Sequence, residues 1–190
     1  MRQILVCLLL TSLSFSVPVK LNCAQAAEKP ELYEQVYLSE TQALKQIMGG
    51  LKIEKKMISL DSNTKKVIQK KLRRKITESQ IPVWIGLNGS KVERYAFILD
   101  EMGKHYPITF IVGLNAQARV TQVAVMVYRE RRGDAVKRKR FLDQFVNKSS
   151  QDPVEINTDI IHLTGSTISS WSIAMGVRKA LVILQEAVLK

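Results

Sequence analysis

From Pro82 onward the apolar residues recur at every second position, in four runs at 83–87, 92–99, 108–114 and 120–128. A period of two sends alternate side chains to opposite faces, which is the signature of β-strands. The breaks between the runs are short and turn-like: Asn88-Gly89, Glu101-Met102-Gly103 and Asn115-Ala116-Gln117. Links of that length cannot hold a parallel crossover, so the four strands must form an antiparallel meander. The rest of the chain has to cover that sheet.

The covering segments read as helices. Ser39-Glu40-Thr41-Gln42 fits a capping box, Ala43, Leu44, Ile47 and Met48 form an apolar stripe, and Gly49-Gly50 ends the helix. Residues 51–60 alternate poorly but suit a strand. Asp61 or Ser62 caps a second helix with Val67, Ile68 and Leu72 on its inner side. Its outer side carries Lys65, Lys66, Lys70, Lys71, Arg73, Arg74 and Lys75. After Gly133 the period is again helical, through Val136, Phe141, Phe145 and Val146, until Asp152-Pro153 interrupts it. A last helix begins near Ile168 and runs towards Leu189 on a stripe of Ile173, Val177, Leu181, Leu184 and Val188. The order predicts an α+β domain: an antiparallel β-meander sheet with flanking helices.

With 190 residues, 46% of them apolar and 24% charged, the chain is long enough for one globular domain with a proper core. Lys and Arg outnumber Asp and Glu by 29 to 17, and the formal charge of +12 favours anionic partners. Two cysteines and two histidines exclude a zinc finger, an iron–sulfur cluster and a disulfide scaffold. The N-terminus has the order of a secretory signal: Arg2, an uncharged stretch up to Val19, then Ala24-Gln25-Ala26. The expectation is a signal peptide over 1–26, cleaved after Ala26, and a mature domain over 27–190. An uncleaved membrane anchor is the alternative. Cleavage removes Cys7, Cys23, Arg2 and Lys20, so the mature chain has no thiol and a charge of +12 less 2, or +10. No later segment reads as long and apolar enough to span a membrane. An exported domain is not expected to have nucleic acid as its partner.

Classical catalysis finds no machinery in these residues. His105 and His162 lie in neither a nucleophile elbow nor a metal-ligand spacing, and no paired carboxylates stand out. Two basic runs, at 65–75 and 129–140, read as solvated faces; the second also flanks Gly133 and suits a phosphate or an acidic partner. Residues 159–170, Asp-Ile-Ile-His-Leu-Thr-Gly-Ser-Thr-Ile-Ser-Ser, lead straight into the last helix. Gly165 permits a tight turn, and Thr167, Ser169 and Ser170 bring three hydroxyls to a helix start, where unpaired N–H groups attract anions. Ordinary helix capping uses the same residue types, and the residues alone leave both readings open.

The segment Thr164-Gly165-Ser166-Thr167-Ile168-Ser169-Ser170, with Asp159 upstream, resembles the hallmark of the FMN-binding domain family. That family includes the C subunit of the sodium-pumping NADH:quinone reductase and the G subunit of the Rnf complex. The run from Ile108 to Gly113, then Val123 to Glu130 with Gly133, Phe141 and Phe145, follows the same family order, as does Gly176-Val177-Arg178-Lys179-Ala180. The resemblance implies covalent FMN, its phosphate esterified by a flavin transferase onto the last Thr of the motif, here Thr167. It places Thr164, Gly165, Ser166, Ile168, Ser169, Ser170 and His162 around the cofactor, with Glu130 and Gly133 in a Glu-x-x-Gly loop beside it. Ser166 stands where the family has Ala. The implied role is an electron carrier outside the cytoplasmic membrane, rather than a stand-alone enzyme, serving a membrane or extracytoplasmic redox protein. Two further readings stay open: a non-redox binding or assembly module that keeps the fold without flavin, and a basic adaptor for an acidic surface.

Overall fold

The first helix begins where the sequence places its cap. In the computed structural model, which describes residues 33–190, Ser39 Oγ accepts from the Gln42 backbone N–H at 3.3 Å and Gln42 Oε1 accepts from the Ser39 N–H at 2.9 Å. These two bonds satisfy donors that a helix start leaves unpaired. Helix α1 then runs Glu40–Met48 and ends at Gly49, with Ala43, Leu44, Ile47 and Met48 buried. The expected leader at 1–26 lies outside the described residues.

Six strands form one sheet: β1 Gln35–Val36, β2 Lys52–Ser59, β3 Gln80–Asn88, β4 Lys91–Met102, β5 Pro107–Asn115 and β6 Val120–Tyr128. Their order is β1-β6-β5-β4-β3-β2, and every pair is antiparallel. The meander over β3 to β6 is the one the alternating runs demand. β1 is two residues long, too short to carry a period. β2 is an edge strand in which only Ile58 is buried, so it has no apolar face to alternate. Its Lys52, Glu54, Lys55 and Lys56 discourage further pairing at that edge.

Both faces of the sheet are covered. Along β6, Val123 and Val125 point to one side while Ala124 and Met126 point to the other. The first side packs against helix α4, Thr167–Ile183, through Ile173, Val177, Leu181 and Leu184 with Phe97, Phe110 and Val112 opposite. The second packs against α1 through Ile47 and Met48, with Trp84, Ala96 and Ile111 opposite. Each Val, Leu, Ile, Phe or Met among them contributes about 1.5–3 kcal/mol on burial. α4 comes close to the sheet because residue 176 is glycine: a Cβ there would overlap Phe110 Cζ and sit 2.9 Å from Glu101 Cγ.

Helix α2, Ser62–Leu72, is capped by Asp61, whose Oδ1 accepts from Asn63 N–H at 2.8 Å and Thr64 N–H at 3.0 Å. Of the three residues expected inside, Ile68 is buried and Leu72 is half-buried, but Val67 is exposed. α2 touches the core along a narrow line, and Val67 is turned about 100° away from it. The expected helix after Gly133 is three short turns: a 3₁₀ turn Asp134–Lys137, α3 at Lys139–Leu142 and a 3₁₀ turn Asp143–Phe145. Val136, Phe141 and Phe145 are buried, the two phenyl rings edge to face at 5.4 Å. Val146 is exposed instead, because the chain leaves the helical conformation there, at φ −60 and ψ 137. α4 continues as a π-helical turn, Leu184–Val188. Together they span 22 residues, long and apolar enough to cross a membrane, which corrects the expectation that no such segment follows the leader. This helix is a core element, with 72% of its most apolar window buried in protein.

Candidate functional site

The approach to α4 is held by a carboxylate. Asp159 accepts from the N–H groups of Glu155 (2.8 Å) and Val154 (3.2 Å) and from Lys148 Nζ (2.8 Å). A bridge between Ile156 and Ile160 closes the loop, and His162 Nδ1 lies 3.1 Å from Asn157 Oδ1. The chain then turns: Ser166 N–H donates to Leu163 O at 2.9 Å, with Thr164 and Gly165 at the corner. Gly165 has φ 78, a conformation that glycine adopts without steric cost.

The turn sorts the hydroxyls. Ser166, the residue before α4, is buried and makes no side-chain cap. Ser170 Oγ accepts from Leu163 N–H at 3.2 Å and donates to Ser166 O at 2.9 Å. Ser169 Oγ is 2.8 Å from Tyr128 Oη, both buried. Thr164 and Thr167 are exposed, and Ile168 is 49% exposed beside them. The three hydroxyls at the helix start therefore divide: Ser169 and Ser170 brace the fold, and Thr167 faces solvent. The first intrahelical bond of α4 is Ser170 N–H to Ser166 O. The N–H groups of Thr167, Ile168 and Ser169 have no protein acceptor among the described residues, and such groups favour negative charge.

The loop after β6 meets this turn. Tyr128 Oη donates to Arg132 O at 2.8 Å. A phenol has one proton, so Ser169 must donate to Tyr128. Burial pushes the Tyr128 hydroxyl up from its ordinary pKa, against the lowering effect of the Ser169 bond. Gly133 completes the contact. Its φ is 93, and a Cβ would lie 2.6 Å from Tyr128 Oη and 3.0 Å from Ser169 Oγ. Glu130 turns elsewhere: its Oε1 accepts from His105 N–H at 2.8 Å and Tyr106 N–H at 3.3 Å, which ties the β4–β5 turn to this loop.

The basic run at 129–140 is divided by the fold. Arg131 and Arg132 are exposed next to the Gly133 contact. Arg129 is structural, bonded to Glu34 (2.9 Å), Pro107 O (3.1 Å) and Thr109 Oγ1 (2.9 Å). Lys137 and Lys139 pair with Asp134 and Asp143 and line a groove along β6 with Tyr37 and Leu38. No cluster of three or more potential metal ligands occurs among the described residues.

Residues 103–182 match the FMN-binding domain family. This segment is similar to the FMN-binding domain. It contains β5, β6, the loop with Glu130 and Gly133, and the whole Thr164–Ser170 turn, so the motif and the fold point to the same place. The match supports a flavin-binding role for these residues. No curated protein matches it. The residues present suit a flavin phosphate: an exposed hydroxyl at Thr167, unpaired N–H groups beside it, and open space over Gly165.

Proposed function

We propose that the chain is an exported electron-transfer protein that carries FMN as a phosphoester on Thr167. The observation that carries this reading is the difference between neighbours: Thr167 Oγ lies on an exposed residue, whereas Ser166, the rival acceptor, is buried. Maturation by a flavin transferase would join Thr167 Oγ to the FMN phosphorus of FAD, with AMP leaving and the hydroxyl proton passing to solvent. The N–H groups of Thr167, Ile168 and Ser169 would hold the phosphate, and Arg131 and Arg132 would add positive charge. FMN supplies one- and two-electron redox chemistry when bound. The chain positions the cofactor, and a covalent bond prevents its loss outside the cytoplasm. The partner implied is a separate redox protein, membrane-bound or extracytoplasmic.

Intact mass after export, with and without a flavin transferase, tests the proposal. The expected product begins at Ala27 and gains one FMN-sized increment only with the transferase. Thr167→Val should abolish the increment and Ser166→Ala should retain it. Flavin on Ser166, or retained in Thr167→Val, refutes the assignment.

A further inference from the structure

A second concave site lies further along α4. Its walls are the end of α2 with Arg73, Arg74 and Ile76, residues Val154–Ile156, and Trp171, Met175, Arg178 and Lys179 of α4. The cleft measures about 180 Å³. Trp171 and Met175 are each 39% exposed on the same helix face, four residues apart. A large exposed indole beside a thioether gains nothing from water and is common where a flat ligand docks.

The charges around it do not balance. Lys179 is almost fully buried and bonded to Glu78 at 2.6 Å, with Glu101 at 3.7 Å. Arg74 is 2.7 Å from Glu101. Those two cations are answered by two carboxylates. Arg73 and Arg178 remain, and of the cleft's own residues Glu155 alone opposes them. Arg178 donates one N–H to Lys71 O at 3.0 Å, which fixes the guanidinium, and its other donors have no acceptor among the described residues. Arg73 makes no side-chain hydrogen bond among the described residues and ends α2 in a left-handed conformation, φ 52. An apolar floor under a rim of two guanidinium groups faced by one carboxylate selects an anion with an apolar body.

We propose that this cleft binds a small organic anion whose flat, apolar ring system lies on Trp171 and Met175 and whose carboxylate or sulfonate meets Arg178 and Arg73. At this volume one or two rings sit inside the cleft, and any third ring projects into solvent. The inference does not depend on the flavin at Thr167.

The probe is 8-anilinonaphthalene-1-sulfonate, titrated into the mature chain made without flavin transferase. The expected result is saturable binding of one probe per chain, with quenched tryptophan emission. Trp171→Ala and Arg178→Ala should each weaken binding about tenfold, since each removes one principal contact. Arg140→Ala, which deletes an equal charge on α3 outside the cleft, should leave it unchanged. N-phenyl-1-naphthylamine, which has the rings but no sulfonate, should bind at least about tenfold more weakly. Wild-type affinity in the Trp171 and Arg178 variants, or equal affinity for the neutral probe, overturns the proposal. The flavin-loaded protein should bind the anion as well as the unloaded one. Loss of binding on loading would give the cleft to the flavin ring and overturn the separate site, while leaving attachment at Thr167 intact.

Discussion

Tyr128 shows how much one atom can carry at the residue scale. Its hydroxyl is the link between the Arg132 carbonyl and the Ser169 hydroxyl, and so between the loop after β6 and the first turn of α4. Tyr128→Phe keeps the ring in the core but leaves both partners without that bond. A buried polar group left unpaired costs about 1–3 kcal/mol. Urea denaturation should show a loss in that range, with faster amide exchange around Gly133. A change below about 0.5 kcal/mol would mean the bond is incidental. The Thr167 motif was legible because glycine and hydroxyl residues in a fixed spacing resemble a family hallmark. The burial of Ser166 was not legible, since nothing in Thr-Gly-Ser-Thr says which hydroxyl turns inward.

α4 is the element on which core and candidate sites meet. Its inner stripe follows the helical period, and Ile173, Val177, Leu181 and Leu184 are all buried. The role of Gly176 is invisible to that period, because it depends on Phe110 and Glu101 in other strands. Alanine has the higher helix propensity by about 1 kcal/mol. Against that, an added methyl in a filled contact costs about 1–3 kcal/mol. Gly176→Ala should therefore lower the thermal midpoint, and a stabilised variant would show that α4 can move away from the sheet at little cost. α2 and the residues after Gly133 teach the complementary lesson. Their helical signal was right in kind, but Val67 and Val146 are exposed because the core reaches only part of each segment.

For the whole molecule, charge sets the dependence on pH. Asp61, Glu78, Asp134, Asp152, Asp159 and Glu186 all hold their protons less readily than ordinary carboxylates. Glu78 is the clearest. Burial opposes its charge, but bonds from Lys179 and from the Thr77 and Glu78 backbone prevail and hold it at about 2, against an ordinary 4.5. A depressed carboxylate contributes stability that is complete above its unfolded value and is lost as pH falls through its folded one. Stability should thus decline from about pH 4.5 towards 2. The wild type should exceed Glu78→Gln at pH 6, and the gap should close across that window. A gap that is unchanged at pH 2 would show that the Lys179 pair does not act through charge. With +12 on the chain, protonating carboxylates also adds repulsion in the same direction.

By itself the sequence determined the meander, the two capped helices, the apolar stripe of α4 and the place of the flavin motif. These rest on local facts: strand and helix periods, cap chemistry and turn residues act within a few positions of one another. Only the tertiary structure decided which residues the sheet edges leave bare, that Ser169 and Ser170 serve the fold while Thr167 faces outward, and that Glu130 braces the β4–β5 turn. It alone brought Arg73 into one cleft with Trp171 and Arg178, which lie about a hundred residues further along the sequence. Those outcomes depend on what packs across the sheet, and a hydroxyl or a guanidinium does not encode which neighbour will reach it.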